Sequence, residues 1–145
     1  MGLFDKFMST NAETAFDNEQ DAYAAIMFAV MVSDGEISTD EINNTIAIIT
    51  SKKIFAGKNA EEVHKKVVAN MKKFKTMDEL LQAAVVKISP EQKEPLFATL
   101  VDMVLADGVV NLNEQQILEK LQQSLSINND LASKIIEVLL IKNKG

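Results

Sequence analysis

The sequence predicts an all-α protein, a single compact bundle of about seven helices spanning residues 1–145 and turning twice at pseudo-symmetric Asp-Gly elbows. Three observations carry that prediction. Apolar residues recur at helical spacing nearly throughout, and no clean run of period two is bounded by hairpin turns. Helix start signals are frequent, so the linkers are as short as those of a compact bundle. A chain of 145 residues, 47% apolar and 25% charged, has the size and composition of one folded domain. At that length it buries roughly 70% of its unfolded surface. Residues 1–10 are expected to pack more loosely than the rest.

The elements follow in order. An amphipathic turn is expected at 3–8, where Phe4 and Phe7 dock on the domain's own surface or touch a membrane or a partner. Thr10…Glu13, Ser38…Glu41, Asn59…Glu62 and Thr76…Glu79 have the spacing of a capping box or a close variant, in which cap and N3 side chains satisfy each other's amides. Ser89-Pro90 places proline at a first helical position, where its missing N–H costs nothing. Asn111…Glu114 and then Asn128 or Asn129 open the last two helices. The predicted helices lie near 12–33, 39–52, 60–73, 77–87, 90–106, 112–124 and 129–142.

Two of these helices are apolar on nearly every side. One carries Tyr23, Ile26, Met27, Phe28, Val30, Met31 and Val32; the other carries Leu96, Phe97, Leu100, Val101, Met103, Val104 and Leu105. A helix without a polar face belongs in the middle of a bundle. Where the two are aligned, Asp102 stands opposite Ala29. The methionines read as core filler within apolar stripes.

Several functions are excluded or disfavoured. With no cysteine there is no disulfide, thiolate metal site or cysteine nucleophile. Neither a signal-peptide core nor a membrane-spanning run occurs, so a cytoplasmic location is expected. Net charge is −6 and every basic residue is lysine. Without guanidinium forks for phosphate or guanine, nucleic acid is not the expected partner. The lysines gather in residues 52–75, around the single His64. They read either as solvated helix faces or as a docking patch for an acidic partner.

Both apolar helices run into an elbow. The first reads Ser33-Asp34-Gly35-Glu36-Ile37-Ser38-Thr39-Asp40-Glu41, the second Ala106-Asp107-Gly108-Val109-Val110-Asn111-Leu112-Asn113-Glu114. Much of this is helix punctuation. Gly35 and Gly108 sit where a chain leaving a helix adopts positive φ. Ser38 and Asn111 are N-caps, with Glu41 and Glu114 at N3. Ile37 and Ile42 form a hydrophobic staple, whereas Gln115 removes it from the second copy. Asp34 and Asp107 resist this account, because a carboxylate in a helix's last turn faces the negative end of the macrodipole.

The same spacing equals the second half of an EF-hand loop. The residues at the first and third ligand positions are Val30 and Val32 in one copy and Met103 and Leu105 in the other, which rules that fold out. A shared site remains. Asp34, Glu41, Asp107 and Glu114 would form the cluster, with Glu36, Asp40 and Asp102 as outer members. Two carboxylates 4 Å apart repel by about 4 kcal/mol at an effective dielectric of 20. A divalent cation relieves that repulsion, and all-oxygen ligands favour Ca²⁺, Mg²⁺ or Mn²⁺. Caps plus internal salt bridges are the competing explanation.

Paired Ala/Ser-Asp-Gly-x-aliphatic-Ser/Asn-x-x-Glu elbows in an acidic helical domain of this size resemble the TerB-like tellurite-resistance family. The motif is confined to residues 28–42 and 101–117, while the architectural likeness covers most of the chain. The resemblance implies a seven-helix fold with pseudo-symmetric halves. It also implies a non-enzymatic role in bacterial response to tellurite and other chemical stress, among other stress-response or membrane-associated proteins. In the family the acidic elbow residues are proposed to bind a metal, which here points to Asp34, Glu41, Asp107 and Glu114. The second copy departs from the first, with Val109 for Glu36 and Asn111 for Ser38.

Three functions therefore compete. The first is a binding and scaffold protein that responds to a divalent cation. The second is a metal-free interaction module that docks an acidic partner on the lysine-rich residues 52–75. The third is a hydrolase using paired carboxylates. No nucleophile, phosphate loop or substrate-binding motif accompanies the carboxylates, so no enzymatic activity is expected.

Overall fold

The computed structural model describes residues 16–34, 39–106 and 110–144, with Asp34 described through its backbone alone. Seven α-helices and no strand occur among these residues: α1 Glu19–Met31, α2 Thr39–Ser51, α3 Ala60–Met71, α4 Met77–Val85, α5 Pro90–Leu105, α6 Leu112–Ser124 and α7 Asn129–Lys142. Short 3₁₀ turns follow α1 at Val32–Asp34 and α2 at Lys53–Phe55. The all-α prediction holds.

The helix starts show why these segments are helical. Asn59, Thr76, Asn111 and Asn128 each accept a hydrogen bond from the amide three residues on, in extended backbone just ahead of the first turn. At Thr76 the companion Glu79 reaches one residue further back than a capping box requires and accepts from the Lys75 amide at 3.2 Å. Asn128, rather than Asn129, opens α7. Ser89 makes no side-chain cap, and Pro90 alone pre-sets that first turn.

The first helix departs from expectation. Residues 16–18 form a bend rather than helix, and α1 starts at Glu19. Asn18 is the effective cap, its Oδ1 accepting the Asp21 amide at 2.8 Å. Phe16, 1% exposed, stacks on Phe74 at 5.7 Å between centroids. The Thr10…Glu13 box and the turn at 3–8 with Phe4 and Phe7 lie outside the described residues.

The helices fall into two compact units. One comprises residues up to 26 with 46–88; the other comprises 27–45 with 89 onward. In the first, Tyr23 of α1 meets Phe55 edge-on at 5.8 Å, and Gln20 Nε2 donates to the Ile54 carbonyl at 2.7 Å. Ile49, Val63, Val67, Leu80 and Ala84 are buried with them. Gly57 turns the chain toward α3 at φ 85°, a conformation that glycine adopts without steric cost.

In the second unit α5 packs on both α6 and α7, and α6 packs on the 3₁₀ turn that ends α1. Leu96, Phe97, Leu100 and Val104 of α5, with Leu121 and Leu125, are buried there. The α6–α7 corner is closed by the chain itself. Ile127 N donates to Gln122 O at 3.0 Å and Ser126 N to Gln123 O at 3.1 Å, the pair of bonds of a Schellman motif. Ser126 takes positive φ, 59°, and the Gln122 amide bonds both the Ile127 carbonyl and Asn129 Oδ1.

The two apolar helices differ in burial. Residues 22–30 of α1 are all at most 4% exposed, as a helix without a polar face requires. Asp102, Met103 and Leu105 of α5 are partly exposed, so α5 has one wet side. Asp102 supplies the reason: it holds a side of the helix toward water and toward α7.

Candidate functional site

Each elbow is built by the helix entering it and the helix leaving it. At the first, Ser33 Oγ donates back to the Val30 carbonyl at 2.7 Å, tightening the end of α1 into the 3₁₀ turn. Thr45 of α2, buried, places its hydroxyl 2.9 Å from Met31 Sδ. That contact pins the middle of α2 to the end of α1 across the elbow. At the second, Asn111 Oδ1 accepts the Glu114 amide at 2.8 Å, and Glu114 Oε1 accepts the Asn111 amide at 3.2 Å. This is a complete capping box, and it fixes the Glu114 carboxylate at the mouth of α6.

The 3₁₀ turn Val32–Asp34 packs against α6. The backbone carrying Asp34 therefore lies beside the helix whose first turn carries Glu114. Glu41 and Asp40 are exposed in the first turn of α2. The Asp34 side chain, Gly35, Glu36, Ile37, Ser38, Asp107, Gly108 and Val109 lie outside the described residues. Among those described, no three His, Cys, Asp or Glu side chains form a metal-holding group.

Asp102 has a different employment. Its carboxylate receives Lys142 Nζ at 3.2 and 3.3 Å and Asn143 Nδ2 at 3.0 Å. It clamps α5 to the C-terminal end of α7, a link across forty residues that no local spacing announces.

The lysine-rich stretch is also partly committed. Lys66 Nζ lies 3.0 Å from Asp21 Oδ2 and 3.5 Å from Asp17 Oδ2. The hydrogen bond to Asp21, and then its charge, hold the Lys66 ammonium above the usual lysine pKa. Lys65 pairs with Glu61 at 3.6 Å on an exposed face. Lys58, Lys65 and Lys66 edge a cleft of about 260 Å³ whose floor includes Ala24, Phe55 and Val63. A second groove, about 310 Å³, opens beside the second elbow. Phe97, Val104, Val110 and Leu118 give it an apolar lining, with Gln115 and Glu119 at the rim.

An all-helical chain with two helix elbows, one locked by a capping box, is the class of protein these features define. The chain belongs to the TerB family: the model of that family, described as tellurite resistance protein TerB, matches residues 20–135 and so includes both elbows. No curated protein sequence and no solved structure matches the chain. No helix among the described residues is long and apolar enough to cross a membrane.

Proposed function

We propose that this chain is a non-enzymatic binding and scaffold protein of the bacterial stress response, tellurite resistance included, whose acidic elbows respond to a divalent cation. The observation that carries the reading is the packing of the Asp34-bearing turn against the helix that Glu114 opens. Family membership supports the stress-response context. The donor set fits a hard cation: Asp34, Glu41, Asp107 and Glu114 offer only carboxylate oxygens, the ligands of Ca²⁺, Mg²⁺ and Mn²⁺. Glu114 is held in place beforehand by the Asn111 amide. A bound cation would offset the mutual repulsion of the carboxylates and the unfavourable end of the α1 and α5 dipoles. Its partners would be other stress-response or membrane-associated proteins, met in the cytoplasm.

Titration of the metal-free protein with Ca²⁺, Mg²⁺ and Mn²⁺, by calorimetry and by melting temperature, tests the cation. Heat and a raised Tm are expected, and both should vanish in Asp34→Asn/Asp107→Asn. No response at millimolar cation leaves a metal-free interaction domain.

The cleft edged by Lys58, Lys65 and Lys66 favours a second reading, in which residues 52–75 dock an acidic partner. Lysine rims an apolar floor there, the combination that an acidic amphipathic segment matches. Charge reversal at Lys65, Lys66, Lys72 and Lys73 should then abolish partner capture. Capture that survives those changes and fails in Asp34→Asn/Asp107→Asn moves the contact to the elbows.

A further inference from the structure

The outer face of α7 has no employment in either reading. Its inner face is ordinary: Leu131, Ala132, Ile135 and Leu139 recur at helical spacing and are buried or half-buried. The outer face should be polar, yet Ile136 is 40%, Leu140 46% and Ile141 64% exposed. These account for three of the seven large hydrophobic side chains exposed among the described residues. Apolar groups gathered on one polar-rimmed surface mark an interaction site more often than chance exposure.

The charges on this face specify the occupant. Ile136, Glu137, Leu140, Ile141 and Lys144 line one shallow depression, so they share a side of the helix. Along it Glu137 precedes and Lys144 follows the Leu140–Ile141 pair, at equal distances from the point midway between those two. Consider a second α7 laid antiparallel across a two-fold axis between Leu140 and Ile141. Glu137 of each copy then meets Lys144 of the other, and Leu140 meets Ile141. A single strip that answers its own charges under two-fold rotation is the requirement for an isologous contact. A parallel pairing would oppose Glu137 to Glu137 and Lys144 to Lys144.

We propose that the outer face of α7 is a self-association surface, through which two copies of this chain pair antiparallel about Leu140 and Ile141. One short helix pair covers less than the roughly 800 Å² per partner of a standard interface. The dimer is therefore weak and concentration-dependent, suited to assembly at high local concentration.

Sedimentation of the full chain from about 10 µM to about 1 mM should show reversible dimerisation. Leu140→Glu, at an exposed position that leaves the fold intact by circular dichroism, should yield monomer throughout. Glu137→Lys and Lys144→Glu should each weaken the dimer about three- to tenfold, the range expected of exposed ion pairs. The double swap should restore it, because the pairs re-form with signs exchanged; a purely apolar stickiness would not respond in this way. The cysteine-free background adds a register test. Leu140→Cys should cross-link readily under oxidation and Glu137→Cys poorly, since antiparallel copies of residue 137 lie roughly 10 Å apart along the axis. The proposal is overturned by a wild type monomeric across the range, by a dimer indifferent to Leu140→Glu, or by efficient cross-linking through position 137. It is equally overturned if a chain that stays monomeric binds anionic vesicles through this face, or if deleting residues 1–15 is what first exposes it.

Discussion

α1 and α5 look like the same helix in the sequence and are different objects in the structure. Both are apolar, both end without a basic residue in the last turn, and both feed an Asp-Gly elbow. Yet α1 is sealed through residues 22–30 whereas α5 keeps a wet side. The difference shows at two aligned pairs, Ala29 with Asp102 and Val30 with Met103, and only the first changes charge. Each helix is also tied by an aspartate to a distant lysine, Asp21 to Lys66 and Asp102 to Lys142. Asp21 is 11% exposed in its side chain and sits at the start of α1, while Asp102 is 36% exposed and sits in the last turn of α5. Apolar content thus reports that a helix belongs to a core, but one charge decides whether it is enclosed or shares a flank with solvent.

The sharpest way to break this comparison is to give α1 the charge that α5 carries. Ala29→Asp places an unpaired carboxylate at a site with no exposure, and should cost about 3–5 kcal/mol in urea denaturation or prevent folding. A loss under about 1 kcal/mol would mean that α1 has a wet side as well. Next in size is Leu100→Ala, which should destabilise α5 by about 2–5 kcal/mol because its inner face is as closely packed as α1. Asp102→Ala should cost about 1 kcal/mol, and hydrogen exchange should quicken at the C-terminal end of α7 first. Smallest is Lys66→Met, below about 1 kcal/mol at neutral pH since the lysine side chain is half exposed. Its pH dependence has a definite sign. Asp21 raises the Lys66 pKa above the unfolded value of 10.5, so the stabilisation is whole below pH 10.5 and fades as pH climbs through the folded value. Wild type and variant should converge only in that alkaline range.

Most of the fold was legible because its punctuation is local. Asn59, Thr76, Asn111 and Asn128 cap helices by bonds spanning three residues, and such signals survive in a bare sequence. The first helix starts later than its pattern suggests, because Asn18 caps it by the same short-range bond while Phe16 turns inward against Phe74. The candidate site was half legible. The packing of the turn after α1 on α6 joins distant segments, while the Asn111–Glu114 box follows from capping chemistry. The use of Asp102 did not, because its partners Lys142 and Asn143 are forty residues away and belong to no motif. The apolar outer face of α7 was hidden too, since Ile and Leu at helical spacing read as core until one knows which side faces inward.

The corner between α6 and α7 has a consequence for the order of events in folding. All its bonds, from the Ser126 turn to the Gln122 bridge and the Asn128 cap, join residues at most seven apart. Closing so short a loop costs little chain entropy and takes well under a microsecond. This hairpin is therefore expected to form before the pairing of α5 with α7, which must wait for Lys142 to return across forty residues to Asp102. A nascent chain would then present the outer strip of α7 to its surroundings early, and kinetic φ-values should be high at Asn128 and low at Asp102.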